Sequence, residues 1–302
     1  MRRLLRHITI FLLFIFVLGL ADGWGQDINS TPPPEQHVCE GKEITYTVFG
    51  FINSNIEWYV DDLHLGTDKD RTVPSNGDNI IRTNGTYNKV TLQHTWSLSD
   101  PTKTEIHTLK IQETSADPAA CATMTEPGLK VYVYPKPAVP VVTVNPIACN
   151  GEQGGLSVDL SGVTIPTGLS LQIRLQDSDN NTLVGWADVS GNSHTYSNLS
   201  AGSYKVTIRY VKEGNRVRGS VVASPIKTLV NPPVLTVSSA AVTTPIACNG
   251  GDAEVTIVAS GGTAPYTYTF NGVENTTDGV FTSKAGTYSY HVTDANGCST
   301  AS

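Results

Sequence analysis

The sequence is poor in charged residues, in methionine and in long apolar segments. Only 16% of its 302 residues are Asp, Glu, Lys or Arg, and it has two methionines. Beyond residue 21, no long stretch carries the apolar spacing of an amphipathic helix. Because Val and Thr favour strands whereas Gly, Asn and Ser favour turns, the sequence predicts an all-β fold with little helix.

Motifs for catalysis and for metal binding are lacking as well. The sequence contains no His-Glu-x-x-His, Cys-x-x-Cys, Gly-x-Ser-x-Gly or phosphate-binding loop. Its seven histidines are spread along the chain without the spacing of metal ligands. We therefore expect a protein that is not an enzyme and that has no cofactor and no metal site.

The one long apolar run lies at the N-terminus. Three arginines within the first six residues precede apolar residues 8–20, and Ala21 is a small residue suited to cleavage. A transmembrane anchor needs about 20 apolar residues, and Asp22 ends this run too early. We predict a signal peptide over 1–21, secretion, and no membrane span in the mature chain.

The charge balance argues against nucleic acid as a partner. Removing residues 1–21 leaves 17 of the 20 Lys and Arg residues against 27 Asp and Glu residues, a net charge of −10. Proteins that neutralise phosphates cluster their basic residues on one face, whereas the basic residues of this chain are scattered singly. Anionic membrane surfaces are disfavoured by the same argument.

The chain contains an internal repeat. The residues Pro-Ile-Ala-Cys-Asn-Gly stand at 146–151 and recur 99 positions later at 245–250. A second shared block, with Ala-Gly-Ser/Thr-Tyr at its centre, lies in 199–207 and again in 284–292. Two matches in the same order predict a row of similar β domains, each opened by a Cys-Asn-Gly turn and closed by a Tyr-rich strand.

Proline-rich segments predict the boundaries between domains. Prolines cluster in 31–34, 134–140 and 230–233, where a central strand cannot form. The predicted divisions are a signal peptide (1–21), a Pro-rich leader (22–36), a β-sandwich domain (37–136), and two repeat domains, here called the middle repeat (137–232) and the C-terminal repeat (233–302).

The first β domain has its own cysteine pair. Cys39, Trp58 and Cys121 follow the Cys, Trp, Cys order of immunoglobulin domains. The domain resembles the PKD-like and immunoglobulin-like domains of bacterial surface proteins. In a secreted chain we expect a disulfide between Cys39 and Cys121.

The C-terminal repeat carries a second, more specific resemblance. Its motifs are Cys-Asn-Gly-Gly-Asp at 248–252, Ser-Gly-Gly-Thr-Ala-Pro-Tyr at 260–266, Ala-Gly-Thr-Tyr at 285–288 and Asp-Ala-Asn-Gly-Cys at 294–298. These resemble the SprB-type repeat, which occurs in tandem in very large Bacteroidetes cell-surface proteins, including gliding-motility adhesins. The middle repeat shares the pattern in part, since it lacks the second and fourth motifs.

The resemblance implies a pairing for the remaining cysteines. It implies a Cys248–Cys298 disulfide, and because residues 215–219 of the middle repeat offer no cysteine, it leaves Cys149 unpaired. A leftover cysteine is either a buried thiol, which we favour, or half of an intermolecular bridge. We also expect a last strand after Cys298, and hence a natural chain that continues past Ser302 or has been cut there.

Two polar or aromatic clusters are candidate sites. Tyr266, Tyr268 and Phe270 alternate onto one strand face, so they are either a platform for stacking a sugar ring or part of the core, and we favour the core. Residues 177–181, Asp-Ser-Asp-Asn-Asn, have oxygens at the positions of a calcium loop. They lack the glycine such a loop needs at its sixth position, so we favour a hairpin turn.

These observations together predict a secreted, non-enzymatic cell-surface protein. Tandem immunoglobulin-like β-sandwich domains would form a stalk or adhesin segment whose partner is a surface ligand, either a polysaccharide or a protein. The alternative is a glycan-binding accessory module of a secreted enzyme or uptake system. An exposed, planar row formed by Tyr266, Tyr268 and Phe270 would favour the alternative.

Overall fold

The computed structural model describes residues 35–50, 54–67, 79–83, 88–115, 123–124 and 128–301. Every regular element in these ranges is a β-strand, which confirms the all-β prediction. The predicted signal peptide, most of the leader and Cys121 lie outside the described residues. In the described ranges no helix is present that could span a membrane.

The chain divides into two compact units. The first comprises Met1–Pro137, Thr164–Leu171 and Arg209–Val222. The second comprises Ala138–Val163, Gln172–Ile208 and Ala223–Ser302.

Two sheets form the body of the first unit. One has the order β1-β9-β7-β3-β4, with β8 pairing β7, and the other has the order β2-β6-β5. Strand β1 pairs with β9 in parallel, and the described pairings of β3, β4, β7 and β8 are antiparallel. The strands are β1 (Glu35–Cys39), β2 (Glu43–Gly50), β3 (Ser54–Val60), β4 (Leu63–Thr67), β5 (Asn79–Thr83), β6 (Asn88–Thr95), β7 (Glu105–Ser115), β8 (Thr123–Met124) and β9 (Leu129–Tyr134).

A shared apolar core joins these two sheets. Tyr46 and Leu92 reach it from one sheet and Trp58 and Ile111 from the other, all of them buried. The Trp96 indole N–H donates to the Tyr46 hydroxyl at 2.9 Å, which gives the buried tryptophan its partner. Burial raises the pKa of Tyr46. Alternating apolar side chains on facing sheets are the pattern of a β-sandwich.

The middle and C-terminal repeats share one topology. In the middle repeat the sheets are β10-β11-β14 and β13-β12-β15-β16, with β17 and β18 also pairing β15; in the C-terminal repeat they are β19-β20-β23 and β22-β21-β24. The middle strands are β10 (Val141–Asn145), β11 (Gly154–Asp159), β12 (Ser170–Asp177), β13 (Thr182–Asp188), β14 (Ser193–Leu199), β15 (Gly202–Lys212), β16 (Asn215–Arg216), β17 (Val222–Ala223) and β18 (Lys227–Leu229). The C-terminal strands are β19 (Thr236–Thr244), β20 (Ala253–Ser260), β21 (Thr267–Phe270), β22 (Val273–Asn275), β23 (Val280–Ser283) and β24 (Tyr290–Thr293).

The two Cys-Asn-Gly segments occupy the same place in this topology. Each links the first two strands of a three-stranded sheet, β10 to β11 and β19 to β20. The Cys149 carbonyl accepts from the N–H of residue 152 at 3.0 Å, and the Cys248 carbonyl accepts from that of residue 251 at 2.9 Å. Gly151 and Gly250 have φ angles of 82° and 81°, which favour glycine. The internal repeat predicted from the sequence is therefore present in the fold.

The Ala-Gly-Ser/Thr-Tyr blocks also form the same local structure. The Tyr204 hydroxyl donates to the Ser200 carbonyl at 2.8 Å, and the Tyr288 hydroxyl donates to the Lys284 carbonyl at 3.1 Å. A Cβ at Gly286 would lie 3.0 Å from the Tyr288 hydroxyl oxygen, so glycine leaves room for the tyrosine to fold back. Each repeat thus fixes the entry to its closing strand with a tyrosine corner.

Candidate functional site: the cysteine junction

A disulfide joins the first turn of the middle repeat to the last turn of the C-terminal repeat. It links Cys149 to Cys298, whose Cα atoms are 5.6 Å apart. Cys248 is a free, exposed thiol. The pairing of Cys248 with Cys298 and the unpaired state of Cys149, both implied by the family resemblance, were therefore wrong. We call the turns 146–151 and 294–298, together with Thr263, the cysteine junction.

Contacts of the Asn296 side chain hold Cys298 next to Cys149. The Asn296 side-chain amide donates to the Ala148 carbonyl at 3.0 Å, and it also lies 3.1 Å from the Thr263 hydroxyl. These contacts hold the turn 294–298 against the residue that precedes Cys149. The two sulfurs consequently face each other, while Cys248 lies on a different turn.

Asp294 organises the 294–298 side of the junction. One carboxylate oxygen accepts from the N–H groups of Asn296 and Cys298, both at 2.9 Å, and the other accepts from the Thr263 N–H at 2.9 Å. Burial by itself raises the pKa of Asp294, but the backbone donors outweigh it and the pKa falls below its ordinary value. A charged acceptor thus sets the shape of the turn that carries Cys298.

The Gly-Gly-Thr segment, residues 261–263, packs against the Asp294 carboxylate. Gly262 has a φ of 59°, and a Cβ there would lie 2.8 Å from an Asp294 oxygen. A Cβ at Gly261 would come within 2.0 Å of the Val234 carbonyl oxygen. Both glycines are therefore required by close approach. The Asp-Ala-Asn-Gly-Cys motif marks this turn in the sequence, but the role of Asp294 was not predicted from it, although the spacing of an Asx turn ahead of a cysteine indicates one.

The predicted bridge from Cys39 cannot be located within the described residues of the first unit. Cys39 is a buried free thiol, and its sulfur lies 3.6 Å from the Pro135 carbonyl oxygen. The predicted partner, Cys121, lies outside the described residues. Burial raises the pKa of Cys39 to about 12, which disfavours the reactive thiolate form.

The aromatic row of the C-terminal repeat belongs to its core. Phe270 is buried and stacks on Phe281 with ring centroids 5.4 Å apart. Tyr266 and Tyr268 are half-buried and pack against the same apolar cluster. The two tyrosine rings meet edge to face, with an interplanar angle of 69°. The three candidate ligand-binding side chains therefore form no planar exposed platform.

The candidate calcium loop is a hairpin turn between β12 and β13. An Asp177 carboxylate oxygen accepts from the N–H of Asp179 at 2.9 Å and from that of Asn181 at 2.8 Å. The hydrogen bond from the Asn181 side chain is the main cause that lowers the pKa of Asp177. Its oxygens therefore serve the turn itself. Across the part of the chain that the structure describes, no three His, Cys, Asp or Glu side chains form a group suited to a metal ion.

Comparisons with solved structures give low overall similarity. The mouse nectin-like molecule 4 ectodomain (Ig1–Ig3) is 13% identical, over 87% of this chain and 93% of that chain, with a TM-score of 0.35. The N-terminal eight Ig domains of Down Syndrome Cell Adhesion Molecule are 13% identical, over 88% and 35%, with a TM-score of 0.32. The chicken CNTN1 FN1–FN3 domains are 7% identical, over 84% and 88%, with a TM-score of 0.24.

Sequence comparison locates one family similarity. No curated protein matches the chain. Residues 240–275 match the family described as the SprB repeat. This range holds the second Cys-Asn-Gly turn, the Gly-Gly-Thr segment and the strand that carries Tyr268 and Phe270, and over these residues the chain is similar to the SprB repeat.

Proposed function

We propose that this protein is a secreted, non-enzymatic cell-surface protein whose tandem β-sandwich domains form a stalk or adhesin segment. Its place would be the outer surface of a Bacteroidetes cell, as the SprB similarity suggests. Its ligand would be a polysaccharide or a protein, bound by loops at domain ends or by exposed strand faces.

The observation that carries the proposal is the cysteine junction. Two repeats of the same topology are joined by a disulfide, in addition to the main chain. Disulfides persist in oxidising compartments outside the cytosol. A covalent link between successive β domains supports a role in bearing load or in spacing a binding region away from the cell.

The glycan-binding alternative has less support. It depended on Tyr266, Tyr268 and Phe270 forming an exposed row, and these side chains pack into the core of the C-terminal repeat. The Tyr266 hydroxyl also donates to the Gly261 carbonyl at 2.7 Å, so this side chain is held within the repeat, whereas sugar stacking needs an exposed ring face.

Protease digestion of intact cells tests the proposed location. We expect proteinase K, added to intact cells of the source organism, to remove the full-length protein from an immunoblot. A variant that lacks residues 2–21 is the matched control, because it should stay inside the cell and survive digestion. Full protection of the wild-type protein in intact cells, with digestion after lysis, would contradict the proposal.

A further inference from the structure

Arg174, in the middle repeat, is an arginine without an acidic partner. It lies on β12, and its Nε atom is buried without a hydrogen bond. Burial lowers the pKa of Arg174, and no carboxylate among the described residues offsets this effect. A guanidinium has five N–H donors and keeps its charge in proteins, so this side chain can still bind an acceptor from outside the chain.

The two polar neighbours of Arg174 on its strand face do have partners. Gln172 and Gln176 lie on the same face of β12, because side chains alternate along a strand. The Gln172 side-chain amide donates to an Asp188 carboxylate oxygen at 3.0 Å, and the Gln176 side-chain amide donates to the Asn180 carbonyl at 2.7 Å. Arg174 differs from both, since its donors have no acceptor among the described residues.

A tryptophan on the neighbouring strand holds the Arg174 side chain. The central carbon of the guanidinium lies 4.5 Å from the centroid of the Trp186 ring, which is a cation–π contact. The register of β12 and β13 shifts between Ile173 and Leu175, so β13 has one extra residue opposite Arg174. Such a β-bulge re-aims the side chains of its strand. The bulge therefore accounts for the position of Trp186 against the guanidinium.

The surface around this pair is open to solvent. In β13, Trp186 is half-buried and every other residue is exposed. A Cβ at Gly185 would meet no atom within 4 Å beyond its chain neighbours. A ligand can therefore approach Arg174 and Trp186 from the solvent.

We propose that Arg174 and Trp186 form a binding site for the hexuronate units of an acidic polysaccharide. The sugar carboxylate would accept two N–H groups of the guanidinium, and the apolar face of the sugar ring would contact the accessible part of the indole. An unpaired cation beside an aromatic ring complements a ligand that carries its negative charge on a ring. The inference rests on the proposed surface role, in which an exposed strand face binds a polysaccharide.

An acidic peptide fits this surface less well. Strand β13 is the edge of its sheet, where an added peptide strand would have to pair. The register of β13 with β12 shifts twice, between Ile173 and Leu175 and between Leu175 and Gln176. Bulges at an edge interrupt the regular row of backbone groups that an added strand needs. A sugar needs no such row.

Titration of the full chain with tetragalacturonate tests the site. Isothermal titration calorimetry at low salt should show saturable binding. The same oligosaccharide with methyl-esterified carboxyl groups keeps its rings and loses its charge, so it should bind at least about tenfold more weakly. A hexaglutamate peptide has the charge without a sugar ring and should show no saturable binding.

Two variants that each remove one positive charge separate the site from the general field of the protein. Arg174→Gln should weaken binding of tetragalacturonate at least about tenfold. Lys205→Gln, on the neighbouring strand β15, removes an ammonium that already donates to the Asn180 side chain, and it should change the affinity less than about threefold. Arg174→Lys keeps the charge without the two parallel donors, so its loss should be intermediate.

Four results would overturn the proposal. They are the absence of saturable binding by tetragalacturonate, equal binding of the acid and its methyl ester, equal binding of hexaglutamate, and equal losses for Arg174→Gln and Lys205→Gln. Thermal unfolding shows whether each variant is folded, and the comparison of ligands needs no variant. Proteinase K digestion of intact cells is a separate measurement, so failure of this site and failure of the proposed surface location can be told apart.

Discussion

The middle and C-terminal repeats have the same strand order but differ in the neighbour of their closing strand. Strand β15 has 11 residues and is paired along its outer edge by β16, β17 and β18, whereas β24 has four residues. The same tyrosine corner precedes both strands. The difference teaches that the corner positions the chain but does not by itself fix the residue at which the closing strand begins.

The cysteines should give the largest difference between the repeats. Cys149→Ser removes a link that spans 149 residues, so it should lower the free energy of unfolding by up to about 5 kcal/mol in the loop-entropy account. Cys248→Ser changes an exposed free thiol and should alter stability by less than about 0.5 kcal/mol. Urea unfolding under oxidising conditions measures both.

Thiol labelling provides the control for the cysteine variants. Iodoacetamide should modify Cys248 in the native, non-reduced protein and should leave Cys149 and Cys298 unmodified. A non-reduced digest that contained a Cys248–Cys298 linked peptide would contradict the junction and restore the pairing implied by the family resemblance.

Leu229 anchors β18 in the middle repeat: it is buried against Ile147 and the backbone at Gly154, so its removal should loosen the pairing of β18 with the start of β15. Leu229→Ala deletes a fully packed side chain and should cost about 2–4 kcal/mol of unfolding free energy. Hydrogen exchange should then speed up at 202–206. Val230→Ala, at an exposed neighbouring position, is the control and should change neither measurement, so an equal effect of both variants would rule out the anchor role.

Asp294 should make the turn that carries Cys298 in the C-terminal repeat sensitive to acid. Its pKa is lower in the folded protein than in the unfolded chain, so its stabilisation is complete above about pH 4 and is lost as the pH falls through the folded-state pKa. Asp294→Asn should cost about 2 kcal/mol at pH 7 and should reduce the loss of stability on acidification.

Thermal unfolding between pH 2.5 and 7 checks the Asp294 prediction. Asp159→Asn is the comparison in the middle repeat: hydrogen bonds from the backbone and side chain of Ser161 also lower the pKa of Asp159, but this carboxylate is exposed, so its replacement should change the pH profile less. A pH profile of Asp294→Asn that runs parallel to the wild-type profile would show that Asp294 does not hold the turn through its charge.

The tyrosine corners should show the smallest difference. Tyr204 is buried and Tyr288 is half-exposed, although both donate to the carbonyl four residues earlier. Tyr204→Phe removes the donor of a part-buried hydrogen bond and should cost about 1 kcal/mol. Tyr288→Phe should cost about half as much, since water can replace the hydroxyl, and equal costs in urea unfolding would contradict this account.

Local patterns predicted much of the fold. The Cys-Asn-Gly segments need a turn with a glycine of positive φ, and both form that turn between the first two strands of a sheet. The alternation of Tyr266, Tyr268 and Phe270 predicts a strand with one apolar face, and these side chains do pack in the core. Such features depend on near neighbours in the sequence.

The disulfide could not be predicted in the same way. Within one repeat, Cys248 and Cys298 stand at the start and the end, which suggests that they meet. The pairing of Cys298 with Cys149 depends instead on contacts between turns 148 residues apart, such as the hydrogen bond from the Asn296 side-chain amide to the Ala148 carbonyl. The parallel pairing of β1 with β9 is likewise a long-range feature, because Glu35–Cys39 carries no signal for its partner.

The Cys149–Cys298 bond also sets how far the polypeptide can stretch. The backbone between these residues would have a contour length of about 500 Å if fully extended. Force applied to the chain outside the two cysteines is transmitted through the disulfide, so the backbone between them is not extended. Reduction would release it, so the redox state of one bond determines whether the two repeats can unravel under tension.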